Sequence, residues 1–151
     1  MIKKIKSCIF SLLLLIVLTA CNSSSTSETT AVCTLDDKTN ETSITETITY
    51  KEDNISKIVE VNKGKAINLD DKTKNELDDE IVKYNATTGI KASYELKDDI
   101  LTTSIEVDYT KVDLNKLREL GIIESSDKDN VTAISFSKTK TGFEKEGFTC
   151  K

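Results

Sequence analysis

Two stretches of this chain alternate apolar and polar residues with a period of two, and each leads into a segment with helical spacing. Ile44, Glu46, Ile48 and Tyr50 alternate, Lys51-Glu52-Asp53-Asn54 forms a polar turn, and Ile55, Val59 and Val61 continue as a second strand. The same layout returns with Ile90, Ala92, Tyr94 and Leu96, the turn Lys97-Asp98-Asp99, and then Leu101, Thr103, Ile105, Val107 and Tyr109. A period of two places alternate side chains on one face, as in a half-buried strand. Each strand pair therefore reads as a hairpin with one face committed to a core.

A helix follows each hairpin. Leu69-Asp70-Asp71 opens the first, with an Asp as N-cap, and Leu77, Ile81 and Tyr84 fall at i, i+4 and i+7 on one stripe. Gly89 follows its end. Asp113 caps the second helix, which carries Leu114, Leu117 and Leu120. Val112 before that cap and Leu117 at the fourth helical position are spaced as a hydrophobic staple, and Gly121 stands at the C-terminal stop.

The two units align at an offset of 46 residues. Tyr50-Lys51-Glu52-Asp53 falls on Leu96-Lys97-Asp98-Asp99, and Val59-Glu60-Val61 falls on Ile105-Glu106-Val107. The polar matches carry more weight, because any two strands share alternation. A last strand is predicted near Ala133 to Lys138, with Ile134 and Phe136 on one face, and Gly142 to Phe148 reads as a short helix or turn delivering Cys150. The fold class is α+β: an antiparallel sheet with helices packed on one face, a tandem β-β-α repeat and a C-terminal strand.

The N-terminus sets the expected address. Lys3, Lys4 and Lys6 precede a ten-residue, mostly apolar run from Ile9 to Leu18, the layout of an export signal. The run is shorter than the ~20 apolar residues a spanning helix needs. Leu18-Thr19-Ala20-Cys21 resembles a bacterial lipobox, which implies that residues 1–20 are cleaved and that Cys21 carries lipid. Residues 21–31 read as a Ser/Thr-rich tether and 32–151 as a single domain. The expected location is the extracytoplasmic face of the cell membrane, with the membrane itself and an envelope protein as partners.

Without the signal, 18 basic residues face 26 acidic ones, a net charge of −8. That excludes the positive footprint nucleic acid needs. Cys8 leaves with the signal and Cys21 is lipidated, so Cys33 and Cys150 remain. Outside the cytoplasm such a pair reads as a disulfide. Two ligands with no histidine in the chain make a poor zinc site, and no Cys-x-x-Cys suggests redox chemistry.

The missing histidine also removes the commonest general base and its nucleophile pairs. Acidic pairs abound: Asp36-Asp37, Asp70-Asp71, Asp78-Asp79-Glu80, Asp98-Asp99, and Asp127 with Asp129. They fall in predicted turns and helix starts, where Asp is favoured locally. Asp127-Lys128-Asp129-Asn130 lacks the Gly and closing Glu of a calcium loop. No catalytic, metal-ligating or cofactor-binding residue is singled out. The Leu77-Ile81-Tyr84 stripe is assigned to core packing before a ligand groove.

Cys33-Thr34-Leu35, the stretch Lys97-Asp98-Asp99 through Ile105-Glu106-Val107-Asp108-Tyr109, Val112-Asp113-Leu114 with Leu117, and the ending Gly147-Phe148-Thr149-Cys150 together resemble the YehR-like family of small bacterial lipoproteins. That resemblance implies a small α+β lipoprotein domain, lipidated at Cys21 and closed by Cys33–Cys150, without implying catalytic residues. The expected function is a non-enzymatic binding or interaction module of the envelope, acting through the sheet face the helices leave open. The alternatives are a small-ligand or metal-ion binding lipoprotein and a carboxylate-based hydrolase.

Overall fold

The computed structural model of the chain describes residues 27–66, 70–122 and 133–151. Residues 1–20, read as an export signal, together with Cys21, Leu69 and the Asp127–Asn130 stretch, lie outside the described residues. In chain order the elements are β1 (Thr29–Asp37), β2 (Thr42–Lys51), β3 (Asn54–Lys65), α1 (Asp71–Asn85), β4 (Ile90–Lys97), β5 (Ile100–Asp108), α2 (Leu114–Glu119), α3 (Phe136–Lys145) and β6 (Thr149–Cys150). The six strands form one sheet in the order β4-β5-β3-β2-β1-β6. Every pairing is antiparallel, so the expected α+β class holds.

Both predicted hairpins form, with two-residue turns. Lys51 pairs with Asn54, and Lys97 with Ile100. In the second turn Asp98 and Asp99 both have positive φ, 51° and 60°, as a type I′ turn requires. The first turn has only Glu52 in that region, at 58°, and its ladder slips: Thr49 pairs with Lys57, yet Tyr50 pairs with Ile55. Ser56 is the extra residue of a bulge, and its hydroxyl donates to the Thr49 carbonyl at 3.2 Å.

This bulge corrects one part of the repeat. Beyond Ser56 the two units are out of phase, because a one-residue slip moves every later side chain to the opposite face. Glu60 points toward the helices, beside Ile58 and Ile105. Glu106 points away, where it pairs with Lys57 at 3.9 Å and Lys91 at 3.2 Å. The match of Val59-Glu60-Val61 with Ile105-Glu106-Val107 is thus a likeness of letters between residues on opposite sides of the sheet.

The helix boundaries follow local chemistry. The Asp70 carboxylate accepts from the Thr73 N–H at 2.8 Å, and the Asp113 carboxylate from the Asn115 N–H at 2.8 Å. Val112 and Leu117 are both buried in one cluster, as the staple spacing predicts. At the end of α2 the Gly121 N–H donates to the Arg118 carbonyl at 3.0 Å and the Ile122 N–H to Leu117 at 2.9 Å, a Schellman closure. α3 ends the same way. Phe148 N–H donates to the Phe143 carbonyl at 3.0 Å, and the two rings stand 4.9 Å apart.

Two parts of the C- and N-terminal reading change. The stretch predicted as a strand near Ala133 to Lys138 is the start of α3; only Ser135 forms a bridge, to Asn54. Asp53, in the first hairpin turn, decides this. Its carboxylate accepts from Ser135 Oγ at 2.7 Å and the Ser137 N–H at 2.8 Å, and its carbonyl accepts from the Phe136 N–H at 2.8 Å. Ile134 and Phe136 still pack into one cluster, and Phe136 stacks on Tyr50 at 3.7 Å. The C-terminal strand is instead β6, paired through Cys150 with Cys33. β1 was not expected. It starts at Thr29, inside the stretch read as tether, with Ala31 and Cys33 buried.

One face of the sheet carries the core. Cys33, Ile48, Ile55 and Phe148 anchor one cluster, and Ile90, Val107, Val112 and Leu117 the other; Tyr109 packs against both. Full burial of a side chain such as Ile48 or Leu117 contributes about 1.5–3 kcal/mol. The opposite face presents Thr45, Thr47 and Thr49 of β2 and the charged group of Lys57, Glu106 and Lys91.

Candidate functional site

The inward row of β2 reads Ile44, Glu46, Ile48, Tyr50. Alternation therefore carries Glu46 into the core, where it is 4 % exposed and is the buried charged residue of the described chain. Cys33 on β1 flanks it on one side and Glu60 on β3 on the other. The ladder thus sets two carboxyl groups directly opposite each other, the destabilising arrangement for like charges. Asn62 donates its side-chain amide to Glu60 Oε1. Among the described residues Glu46 Oε2 has no hydrogen-bond partner, while the side chain as a whole is in hydrogen-bonding contact with Glu60.

Burial pushes the Glu46 carboxyl up to about 8, and the neighbouring Glu60 carboxylate adds to the shift. Both causes act against the charged form. Near neutrality the Glu46–Glu60 pair therefore keeps a proton inside the fold.

The pair sits on the floor of a cavity of about 350 Å³ between the sheet and the helical side. Ile58, Ile105 and Val107 extend the floor, and Ile122 and Phe143 also line the cavity. Tyr84 of α1 and Tyr109 after β5 complete the wall. Burial pushes the Tyr109 phenol up to about 12, with the Glu46 charge as a second cause. Burial also pushes Tyr84 up to about 12, aided by the hydrogen bond its hydroxyl donates to Glu80 at 2.8 Å. Among the described residues no lysine or arginine lines this cavity. An apolar wall with a few convergent polar groups and a perturbed acid is the usual make-up of a ligand site.

Of the residues singled out by sequence, Cys33 borders Glu46 and Tyr84 reaches the cavity, and the acidic pairs lie away from it. The sulfurs of Cys33 and Cys150 stand at disulfide distance, with the Cα atoms 4.0 Å apart across β1 and β6. The acidic pairs serve local structure. Asp37 accepts from the Thr39 N–H at 2.8 Å and from the Asn40 side-chain amide, Asp70 caps α1, Asp98 and Asp99 make a turn, and Asp78 accepts from the Tyr94 hydroxyl at 2.8 Å. Among the described residues no three acidic or sulfur groups cluster for a metal. Of the Leu77-Ile81-Tyr84 stripe, Tyr84 both packs on the core and reaches the cavity.

Glu46 and Glu60 were missed as a site. The signal for Glu46 was present in its register, a glutamate between Ile44 and Ile48. Glu60 gave none, because the Ser56 bulge reverses its face.

With this fold and cavity in view, the chain belongs to the family of proteins of unknown function DUF1307, which it matches over residues 32–149. It is 28 % identical over 155 residues to the uncharacterised lipoprotein Lin0239 of Listeria innocua, covering 98 % of this chain and 95 % of the relative. The fold is shared with the solution structure of the Escherichia coli YehR protein, with a TM-score of 0.66 at 20 % identity over 83 % of this chain and 92 % of that one. A protein from Streptococcus pneumoniae TIGR4 shows it too, with a TM-score of 0.61 at 19 % identity over 86 % and 88 %. The YehR-like resemblance read from the sequence is thereby established.

Proposed function

We propose that this chain is a membrane-anchored lipoprotein of the cell envelope whose domain binds a small ligand, without chemical turnover, in the cavity above Glu46. The observation that carries the binding role is the buried carboxyl of Glu46, set beside Glu60 in the lining of an apolar cavity. An unsatisfied buried polar atom costs about 1–3 kcal/mol, and a ligand that hydrogen-bonds it recovers that cost. The open sheet face offers less. It is flanked by no helix, and its Lys57, Glu106 and Lys91 side chains already satisfy one another.

The anchor rests on Leu18-Thr19-Ala20-Cys21 and on the lipoprotein relative that the chain matches along nearly its whole length. A non-enzymatic role accounts for the Glu46–Glu60 pair without a further catalytic group in a chain that has no histidine.

A thermal-shift screen of small molecules against the full chain tests the binding role. Saturable stabilisers should lose their effect in Ile105→Phe, which fills the cavity floor. Stabilisers that act equally on that variant would place binding elsewhere. Growth with a radiolabelled fatty acid tests the anchor: label should enter the wild type and not Cys21→Ser.

A further inference from the structure

We infer that the ligand is a small organic cation with an apolar body, its positive charge seated between Glu46 and Glu60. This rests on the cavity reading above and names the chemistry of the occupant. Three independent features of the cavity agree on it.

First, the polar end of the cavity is acidic. Two carboxyl groups meet across β2 and β3, and one of them, 4 % exposed, keeps an oxygen without a partner. Second, among the described residues no basic side chain lines the cavity to neutralise them. An anionic ligand would meet the acidic pair with no described cation to offset it, whereas a cation is attracted to the pair and takes the place of the proton it holds. Third, the walls are aromatic as well as aliphatic. Tyr84, Tyr109 and Phe143 surround the space, and aromatic faces attract ammonium groups, more strongly where water is excluded.

The groups facing Glu46 settle how binding couples to protons. They are Glu60 on β3, Tyr109 after β5 and Tyr84 on α1, while Cys33 on β1 is tied to Cys150. A cation entering between the carboxyls favours the charged form of Glu46, so its proton leaves to solvent as the ligand arrives. Since the proton held by the coupled Glu46–Glu60 pair is retained up to about 8, affinity should rise with pH from 6.5 to 8.5, by about tenfold or more.

The test uses the full chain in nanodiscs of neutral lipid, with methyl NMR signals of Ile58, Ile105 and Ile122 as the readout. Three probes share a phenylethyl body: trimethyl(2-phenylethyl)ammonium, 2-phenylethanol and 3-phenylpropionate. The cation should shift these methyls saturably, the alcohol more weakly and the anion not at all. Glu46→Gln and Glu60→Gln should each weaken the cation about tenfold, and Glu46→Gln should abolish its pH dependence. If the alcohol or the anion binds as tightly as the cation, or Glu46→Gln changes nothing, the cation is overturned and the cavity stands as a site. If no probe moves the methyls, the cavity reading falls with it.

Discussion

Glu46 on β2 and Glu60 on β3 stand directly opposite each other on the face that the helices cover. One pair along on that face Ile48 faces Ile58, and one pair along the other way Ile44 faces Asn62. The sheet thus holds an acidic pair where period-two patterning calls for hydrophobic residues. That violation is the strongest functional mark in the described chain, because a folded domain keeps such a cost only where something offsets it.

The burial of Glu46 makes stability depend on pH. Its carboxyl titrates near 4.5 in the unfolded chain and is raised to about 8 in the fold. Between those values the native state holds more protons than the unfolded one, so this group's contribution is full below about 4.5 and is lost as pH rises through 8. At about 1.4 kcal/mol per unit the loss is on the order of several kcal/mol. Urea unfolding at pH 5 and pH 8 should show wild type losing more stability than Glu46→Gln. Equal slopes in the two proteins would sink the assignment.

Cys33 and Cys150 are separated by 117 positions in sequence. Closing a loop of that size limits the unfolded chain and contributes about 4.7 kcal/mol on the loop-entropy account. It also holds β6, which has only two residues. Cys33→Ala with Cys150→Ala should lower stability by roughly 2–5 kcal/mol. The non-reduced mass of the wild type should be two hydrogens below the reduced one; equal masses would rule the bond out.

Gly89 and Gly121 separate strain from collision. Both have positive φ, 87° and 72°. A Cβ at Gly89 would meet the Val112 nitrogen at 2.8 Å and the Asp108 carbonyl oxygen at 3.0 Å, whereas at Gly121 it meets nothing within 4 Å. Gly121→Ala should cost about 1–2 kcal/mol, the strain of a left-handed residue with a side chain. Gly89→Ala must add displacement of backbone and should cost clearly more in the same denaturant titration.

The turn between β4 and β5 can be improved. Asp98 and Asp99 both sit in the left-handed region, where Asn-Gly is preferred. Asp98→Asn with Asp99→Gly should stabilise the domain by about 1 kcal/mol and raise Tm by about 4–8 °C, on the scale of a domain near 100 residues. A Tm that falls instead would show that the aspartates make contacts beyond the turn.

Much of the fold was legible because its causes are local. Asp70 and Asp113 cap helices through bonds to residues two or three positions on, and Gly121 ends a helix through its own φ. Residues 51–54 and 97–100 turn because their side chains tolerate the turn. β1 was passed over because Ala31 and Cys33 are small, so their alternation with Thr30, Val32 and Thr34 is faint. The start of α3 was misread because Ile134 and Phe136 mimic a strand, while the group that sets the helix, Asp53, lies more than eighty positions away in sequence. The site was half visible: Glu46 broke the pattern in plain view, and Glu60 was hidden by the Ser56 bulge.

The sequence by itself determined the faces of β2, β4 and β5, the caps, the hairpin turns and the lipobox-like Leu18-Thr19-Ala20-Cys21, since each depends on residues a few positions apart. Tertiary structure decided which strands are neighbours. Only the order β4-β5-β3-β2-β1-β6 sets Cys33 beside Cys150 and Glu46 beside Glu60. Pairing between distant segments depends on how whole faces bury together, and a one-residue bulge is enough to reverse a face. No local pattern of residues encodes that outcome, and the acidic cavity is its product.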